Sequence, residues 1–337
     1  MKILGIETSC DETGAAVIEA GIGEKSVNLL SNSLASSLVL HSKTGGIIPE
    51  VAAREQVKFM IPVLEEALKN TSFDEIDAVA VTVGPGLIGS LLVGVETAKT
   101  LSFIYKKPII PVNHLFGHIY ANFIEQGQED IEFPALALIV SGGHTDLVLI
   151  KTHKDIKWLG GTRDDAAGEA FDKTGRLLNL PYPAGPLIEK LSKNSSKDLY
   201  KFPRPLIDSK DYDFSFSGLK TAVLREVQKI KTMDDQTISD LCFSLQAAIF
   251  DVLISKTLRA AKEYNVKSIL LGGGVAANQT LKEKFEDKIK DYPNTKFFVP
   301  QKKLCTDNAA MIAAAAFFNN DTYLWKNLNA NPELYFD

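Results

Sequence analysis

Apolar and polar positions along the chain fall into blocks, and one arrangement of blocks occurs twice. Residues 136–150 (LALIVSGGHTDLVLI) form an apolar run, a polar turn at Ser141-Gly142-Gly143-His144-Thr145 and a second apolar run, which predicts a β-hairpin. Residues 3–18 (ILGIETSCDETGAAVI) repeat the design around a turn carrying Thr8, Ser9, Asp11, Glu12, Thr13 and Gly14. Each hairpin is followed later by a buried strand, a Gly-rich turn and an amphipathic helix, in residues 77–103 and again in 267–285. The pattern reads as one α/β unit used twice, with a ligand cleft between the copies.

Within the 141–145 turn, the two glycines are free to take φ > 0 and to let a ligand approach the main chain, while Ser141 and Thr145 add hydroxyls. Such a turn suits an anion, although an ordinary tight hairpin explains the same residues. Between the repeats, Val27 to Leu34 reads as a strand. Pro49 then suits the first turn of a helix and Glu50 complements its dipole. Val57, Met60, Ile61, Leu64 and Leu68 keep helical spacing, with Pro62 implying a kink or restart. The polar start of that helix, with His41, Lys43 and Arg54, could face a partner or simply solvent.

Residues 111–123 (PVNHLFGHIYANF) carry the clearest candidate chemistry. Asn113 can cap a helix on which His114 and His118 stand four apart, hence on one face and able to share a metal ion. A zinc peptidase needs Glu directly after the first His as base, and Leu115 stands there instead. Asp307, at the start of an Ala-rich helix, suggests itself as a third ligand. Two His and one carboxylate make an open site that suits Fe(II) or Zn(II). Further on, residues 160–178 read as a Gly-rich turn leading into a helix with Glu169, Asp172 and Lys173, and a proline-rich break precedes a helix containing Glu189. The Gly272-Gly273-Gly274 turn with Asn278 suits a nucleotide at a helix N-terminus. The stretch 193–220 mixes Lys and Arg with Tyr and Phe, and is the best candidate for a nucleic-acid-facing loop, with a connector as the alternative.

Composition sets the frame. A chain of 337 residues, 45% hydrophobic and 23% charged, has ample core for two domains. No run approaches the roughly 20 uninterrupted apolar residues of a membrane span, and no cleavable leader is readable, so a cytoplasmic protein without a membrane role is expected. Three scattered cysteines, Cys10, Cys242 and Cys305, give neither a disulfide framework nor a Cys-based zinc site. The net charge of -5 argues against a broadly basic nucleic-acid binder, though not against a local basic surface.

The ordered motifs GIETSCDET from Gly5, HSKTGGIIPEVAAR from His41, NHLFGH from Asn113, VSGGHT from Val140, DDAAGEAFDK from Asp164, FSFSGLKTA from Phe214, GGGVAAN from Gly272 and CTDNAAMIA from Cys305 resemble one family over essentially the whole chain. It is the tRNA N6-adenosine threonylcarbamoyltransferase family, formerly called O-sialoglycoprotein endopeptidases, within the actin, Hsp70 and sugar-kinase superfamily. The resemblance implies two actin-like, ribonuclease H-like domains with a nucleotide cleft between them, residues 1–134 and 135–307, the segment 308–337 packing back on the first. It implies metal ligands at His114, His118 and Asp307, for Fe(II) with Zn(II) as the second choice. It also implies substrate contacts at Ile139, Val140, Ser141, Gly142, Gly143, Asp172, Gly185 and Asn278, with Glu189 standing where many members have Asp near the ribose. Thr44 and Gln56 replace a Tyr and a His common in relatives.

The implied reaction moves a threonylcarbamoyl group from threonylcarbamoyl-AMP to N6 of adenosine 37 in tRNAs reading codons that begin with A, releasing AMP. Asp11 and Glu12 are the candidate base or positioning groups. Implied partners are tRNA, a smaller paralogous subunit and an accessory ATPase. The other classes in view are a phosphotransferase of the same superfamily and a non-catalytic binding subunit, which would be expected to lack the His-His-Asp set.

Overall fold

The computed structural model describes residues 1–21, 23–125 and 130–336, with Lys43 described by its backbone alone. The first hairpin is β1 (Lys2–Glu7) and β2 (Glu12–Glu19), and β3 (Asn28–Ser36) continues it. There follow α1 (Leu38–Thr44), α2 (Pro49–Ala67), β4 (Ala78–Gly84), α3 (Ile88–Tyr105), β5 (Ile109–Asn113) and α4 (His114–Tyr120). A second series then runs β6 (Ala135–Val140), β7 (Thr145–Thr152), β8 (Asp155–Gly161), α5 (Ala167–Leu177), α6 (Gly185–Ser192), α7 (Ser217–Lys229), α8 (Asp235–Glu263), β9 (Ser268–Gly272), α9 (Gln279–Lys288) and β10 (Lys296–Phe298). The short α10 (Lys302–Cys305) and α11 (Ala309–Phe318) close the chain. Two units result: Met1–Ile131 with Pro300–Asp337, and Glu132–Val299.

Both sheets have the same order. In the first unit it is β3-β2-β1-β4-β5, and in the second β8-β7-β6-β9-β10. In each, the first three strands form an antiparallel meander, and the last two add in parallel beside the first strand. This is the actin-like, ribonuclease H-like arrangement, built twice. The central strands are buried on both faces, Ile3, Leu4 and Ile6 in one sheet and Leu136, Leu138 and Ile139 in the other being fully covered, as parallel pairing under helices requires.

In the first unit, α11 lies against α4 and across β1 and β2. Gly5 explains how it gets so close: a Cβ there would stand 2.4 Å from the main-chain oxygen of Ala309. An alanine helix on a glycine strand needs no side-chain layer between them, and this contact fixes where residue 307, just before α11, must lie. In the second unit, α8 is the buried spine. It is the one described helix long and apolar enough to cross a membrane, and 72% of its apolar window is covered.

Helix α2 starts with Pro49 at its first position and Glu50 in its first turn, as its sequence predicts, and runs through Pro62 without restarting. Its buried face is Met60, Val63, Leu64 and Ala67. Val57 and Ile61 are instead 64% and 60% exposed, so the apolar periodicity there overstates the core-facing stripe. His41 belongs to the interior rather than to a partner-facing edge: Ser37 Oγ sits 3.1 Å from its Nε2 and the Ile48 N–H donates to its Nδ1.

A candidate metal centre and two glycine turns

Asn113 caps α4 by accepting the Leu115 N–H at 2.8 Å, which places His114 and His118 on one buried face. Asn308, the cap of α11, accepts the Met311 N–H and holds Asp307 beside them. Asp307 Oδ1 lies 3.5 Å from His114 Nε2 and 3.3 Å from His118 Nε2, and the three potential ligand atoms lie within 4.8 Å of one another. Bonds of about 2.0–2.2 Å to a shared ion place neighbouring ligand atoms about 3–3.5 Å apart, so these separations fit a divalent cation. The donor set fits as well. Neither ring nitrogen of the buried His118 makes a hydrogen bond, Nε2 having only the 3.3 Å contact with Asp307, and an ion at Nε2 would satisfy that atom.

The first hairpin turn brings further acid to this unit. Glu12 is pushed up to about 10 by burial first and by the nearby charges of Asp307 and Asp11 second. In His114, burial disfavours the charged ring, but Asp307 and Glu7 outweigh it and raise the imidazole to about 9. The carboxylate of Asp307 contributes to both shifts, though for Glu12 burial is the larger cause. Asp11 is 7% exposed, with Oδ2 lacking a partner.

Gln56 holds this turn in place. Fully buried, it donates to the carbonyls of Cys10 at 3.0 Å and Glu12 at 2.9 Å. Ser90 Oγ donates to Cys10 O and the Leu87 N–H to Ser9 O, tying the turn to α3. Gln56 was legible only as a departure from relatives, on a helix whose polar start could face a partner or solvent; its work is internal. Ser9 was legible as a polar residue of the turn, whereas Glu7 and Thr82 were not singled out in the sequence, and all three converge here.

In the second unit the 141–144 turn is partly self-satisfied. Ser141 Oγ accepts the N–H groups of Gly143 at 3.3 Å and His144 at 3.1 Å, and Thr145 Oγ1 accepts the Ala167 N–H at the start of α5. Both hydroxyls therefore act as acceptors within the unit. Gly142 and Gly143 do not take the positive φ that their sequence permits; Gly273 does, at φ 90°. A Cβ at 142, 143 or 185 would meet nothing within 4 Å, so all three border open space. Ile139 and Val140 are fully buried, main chain included, and pair with β7 and, for Ile139, with β9, so of the 139–143 segment only the turn from Ser141 onward reaches open space.

The polar candidates of this unit brace its helices. Asp172 Oδ1 accepts the Ala184 N–H at 2.8 Å, Glu189 Oε1 accepts the Gln279 N–H at 3.0 Å, and Asn278 caps α9 while donating to Gln246 at 3.1 Å. Burial keeps the Asp172 carboxyl above the usual range despite its N–H donors. A carboxylate has about four lone-pair sites, so acceptor capacity for a ribose hydroxyl remains on both acids. In the 193–220 stretch Phe202, Tyr212, Phe214 and Phe216 are buried, and Arg204 is paired with Asp198 and Asp251, so these aromatics and this Arg brace the unit as a connector would. Lys210 and Lys220 are exposed, whereas Lys43 lies outside the described side chains.

Fold and site together define a two-domain actin-like protein with a candidate divalent-metal site in its first unit. A solved structure of similar fold is HypF from T. kodakarensis, with a TM-score of 0.63 and 15% identity over 95% of this chain and 47% of that one. The family model for TsaD, tRNA N6-adenosine threonylcarbamoyltransferase, matches residues 28–314. Proteins of that name are 50% identical in Persephonella marina (94% of this chain, 90% of the relative) and 47% identical in Listeria monocytogenes (98% and 96%). The chain belongs to the tRNA N6-adenosine threonylcarbamoyltransferase family.

Proposed function

We propose that this chain transfers the threonylcarbamoyl group of threonylcarbamoyl-AMP to N6 of adenosine 37 in tRNAs that read codons beginning with A. The N6 amine forms a bond to the carbamoyl carbon, the bond from that carbon to the phosphate oxygen breaks, AMP leaves with the electron pair, and N6 loses a proton. Family membership supports the reaction. The observation that carries the assignment of its centre is the convergence of His114, His118 and Asp307, with ligand atoms within 4.8 Å of one another.

In this reading the three residues hold one Fe(II), with Zn(II) as the second choice, since imidazole and carboxylate suit both. A bound ion of this kind supplies Lewis acidity toward a carbonyl oxygen. The donor is already an activated anhydride, so much of the remaining task is positioning, worth about 7–11 kcal/mol in favourable cases. Main-chain groups of the 141–143 turn and the open edges at Gly142, Gly143 and Gly185 border the AMP, and Asp172 and Glu189 accept from its ribose. Asn278 contributes through its cap of α9. Asp11, with an unpartnered buried oxygen, is the better candidate to accept the N6 proton. Glu12, held protonated up to about 10 when no ion is bound, acts as a donor unless a cation lowers it.

The family resemblance supports a smaller paralogous subunit and an accessory ATPase as partners, and a cytoplasmic setting where tRNA is found. The test is to incubate purified chain, with and without those partners, with threonylcarbamoyl-AMP and tRNA. Modified adenosine and AMP are expected in equal amounts. AMP release without modified tRNA, in every combination, would contradict the proposal.

A further inference from the structure

Glu7 is the acid at the end of β1, after the apolar run Ile3 to Ile6, and it is fully buried. A carboxylate so placed needs partners. Its Oε1 accepts the Ser9 N–H at 2.6 Å, its Oε2 accepts a short hydrogen bond from Thr82 Oγ1, and the same Oε2 lies 3.3 Å from His114 Nδ1. Ser9 Oγ stands 3.2 Å from that nitrogen. The opposite edge of the ring, Nε2, faces Asp307.

A neutral imidazole has one N–H and one lone pair. An anionic acceptor at Nδ1 draws the proton there and leaves the lone pair on Nε2, the edge shared with Asp307 and His118. Ligating histidines commonly donate their other N–H to a carboxylate, which fixes ring orientation and raises ligand basicity. We infer that Glu7 is a positioning residue: held by Ser9 and Thr82, it orients His114 and sets its tautomer for metal binding through Nε2. This rests on the reading of His114, His118 and Asp307 as metal ligands. It also makes the two histidines unequal. His118 Nδ1 has no hydrogen-bond partner, so no carboxylate sets that ring from behind, whereas His114 is tied to the strand that leads into the Asp11–Glu12 turn.

The test uses the full chain, stripped of metal and titrated with Co(II) and Zn(II), as wild type, Glu7→Gln and Glu7→Asp. Affinity is read by competition with a chromophoric chelator and ligand geometry by Co(II) visible absorption. Glu7→Gln is expected to weaken Zn(II) binding about 10- to 100-fold and to change the Co(II) bands, with Glu7→Asp recovering part of the loss. Glu7→Gln binding as tightly as wild type, with an unchanged spectrum, would overturn the inference. A wild-type chain that binds neither ion would instead overturn the metal-centre reading beneath it. If the variants do not fold, long-range proton–nitrogen NMR on histidine-labelled, Zn(II)-loaded wild type decides. A protonated His114 Nδ1 is expected, and an unprotonated or metal-bound Nδ1 overturns it.

Discussion

At the scale of single residues, the buried negative charge of the first unit carries a sign that can be measured. An unfolded Glu12 releases its proton near 4.5, while the folded one holds it to about 10. Between those values the native state binds more protons, so stability is greatest below the lower value and falls as pH rises. His114, raised from 6.5 to about 9, acts in the same direction over its narrower window. Metal-stripped wild type should therefore lose thermal stability from mildly acid to alkaline pH, and Glu12→Gln should flatten the slope and unfold at a higher temperature on the alkaline side. Thermal midpoints across that range, recorded for both proteins in chelator, check it. A Glu12→Gln protein with the wild-type slope would mean that Glu12 ionises normally. Glu7 shows why such residues escape sequence reading. The partners that give it meaning, Thr82 and His114, are 75 and 107 positions away, and no local pattern links them.

At the scale of elements, hairpins and capped helices were legible because their signals are local. The polar turn between apolar arms gave both hairpins, and Asn113 gave the start of α4. Burial was less legible: Val57 and Ile61 keep helical spacing yet face outward, and the aromatics of the 193–220 stretch face inward. Sequence fixes which residues share a face but not what covers that face, which packing decides. The 141–144 turn shows a similar limit, since its glycines permit positive φ and do not use it. That changes what a substitution does. A Cβ at Gly143 would meet nothing within 4 Å, so Gly143→Val should fold with near wild-type stability while losing affinity for AMP, because the new side chain occupies the open side of the turn. Calorimetric titration with AMP beside a denaturation curve separates the two effects. Unimpaired AMP binding would reduce the turn to a hairpin connection.

At the scale of the whole molecule, the net charge of -5 means that tRNA must be held by local groups rather than by a general field. Arg204 is committed to Asp198 and Asp251, and Arg54 and Lys58 sit in exposed pairs with Glu50 and Glu55. Exposed pairs of that kind are worth about 0–1 kcal/mol, so phosphate can displace them. The duplication read from the sequence is present as two sheets of one order. The metal candidates, drawn from positions 114, 118 and 307, meet within a single unit because the chain returns to it after Val299. The measurement that bears most directly on this account is metal content per folded chain, by elemental analysis after loading with Fe(II) without oxygen, for wild type and for His114→Ala, His118→Ala and Asp307→Ala. The account predicts about one tightly held ion in wild type and loss of it from each variant, with circular dichroism unchanged. Full metal content in all three variants would contradict it.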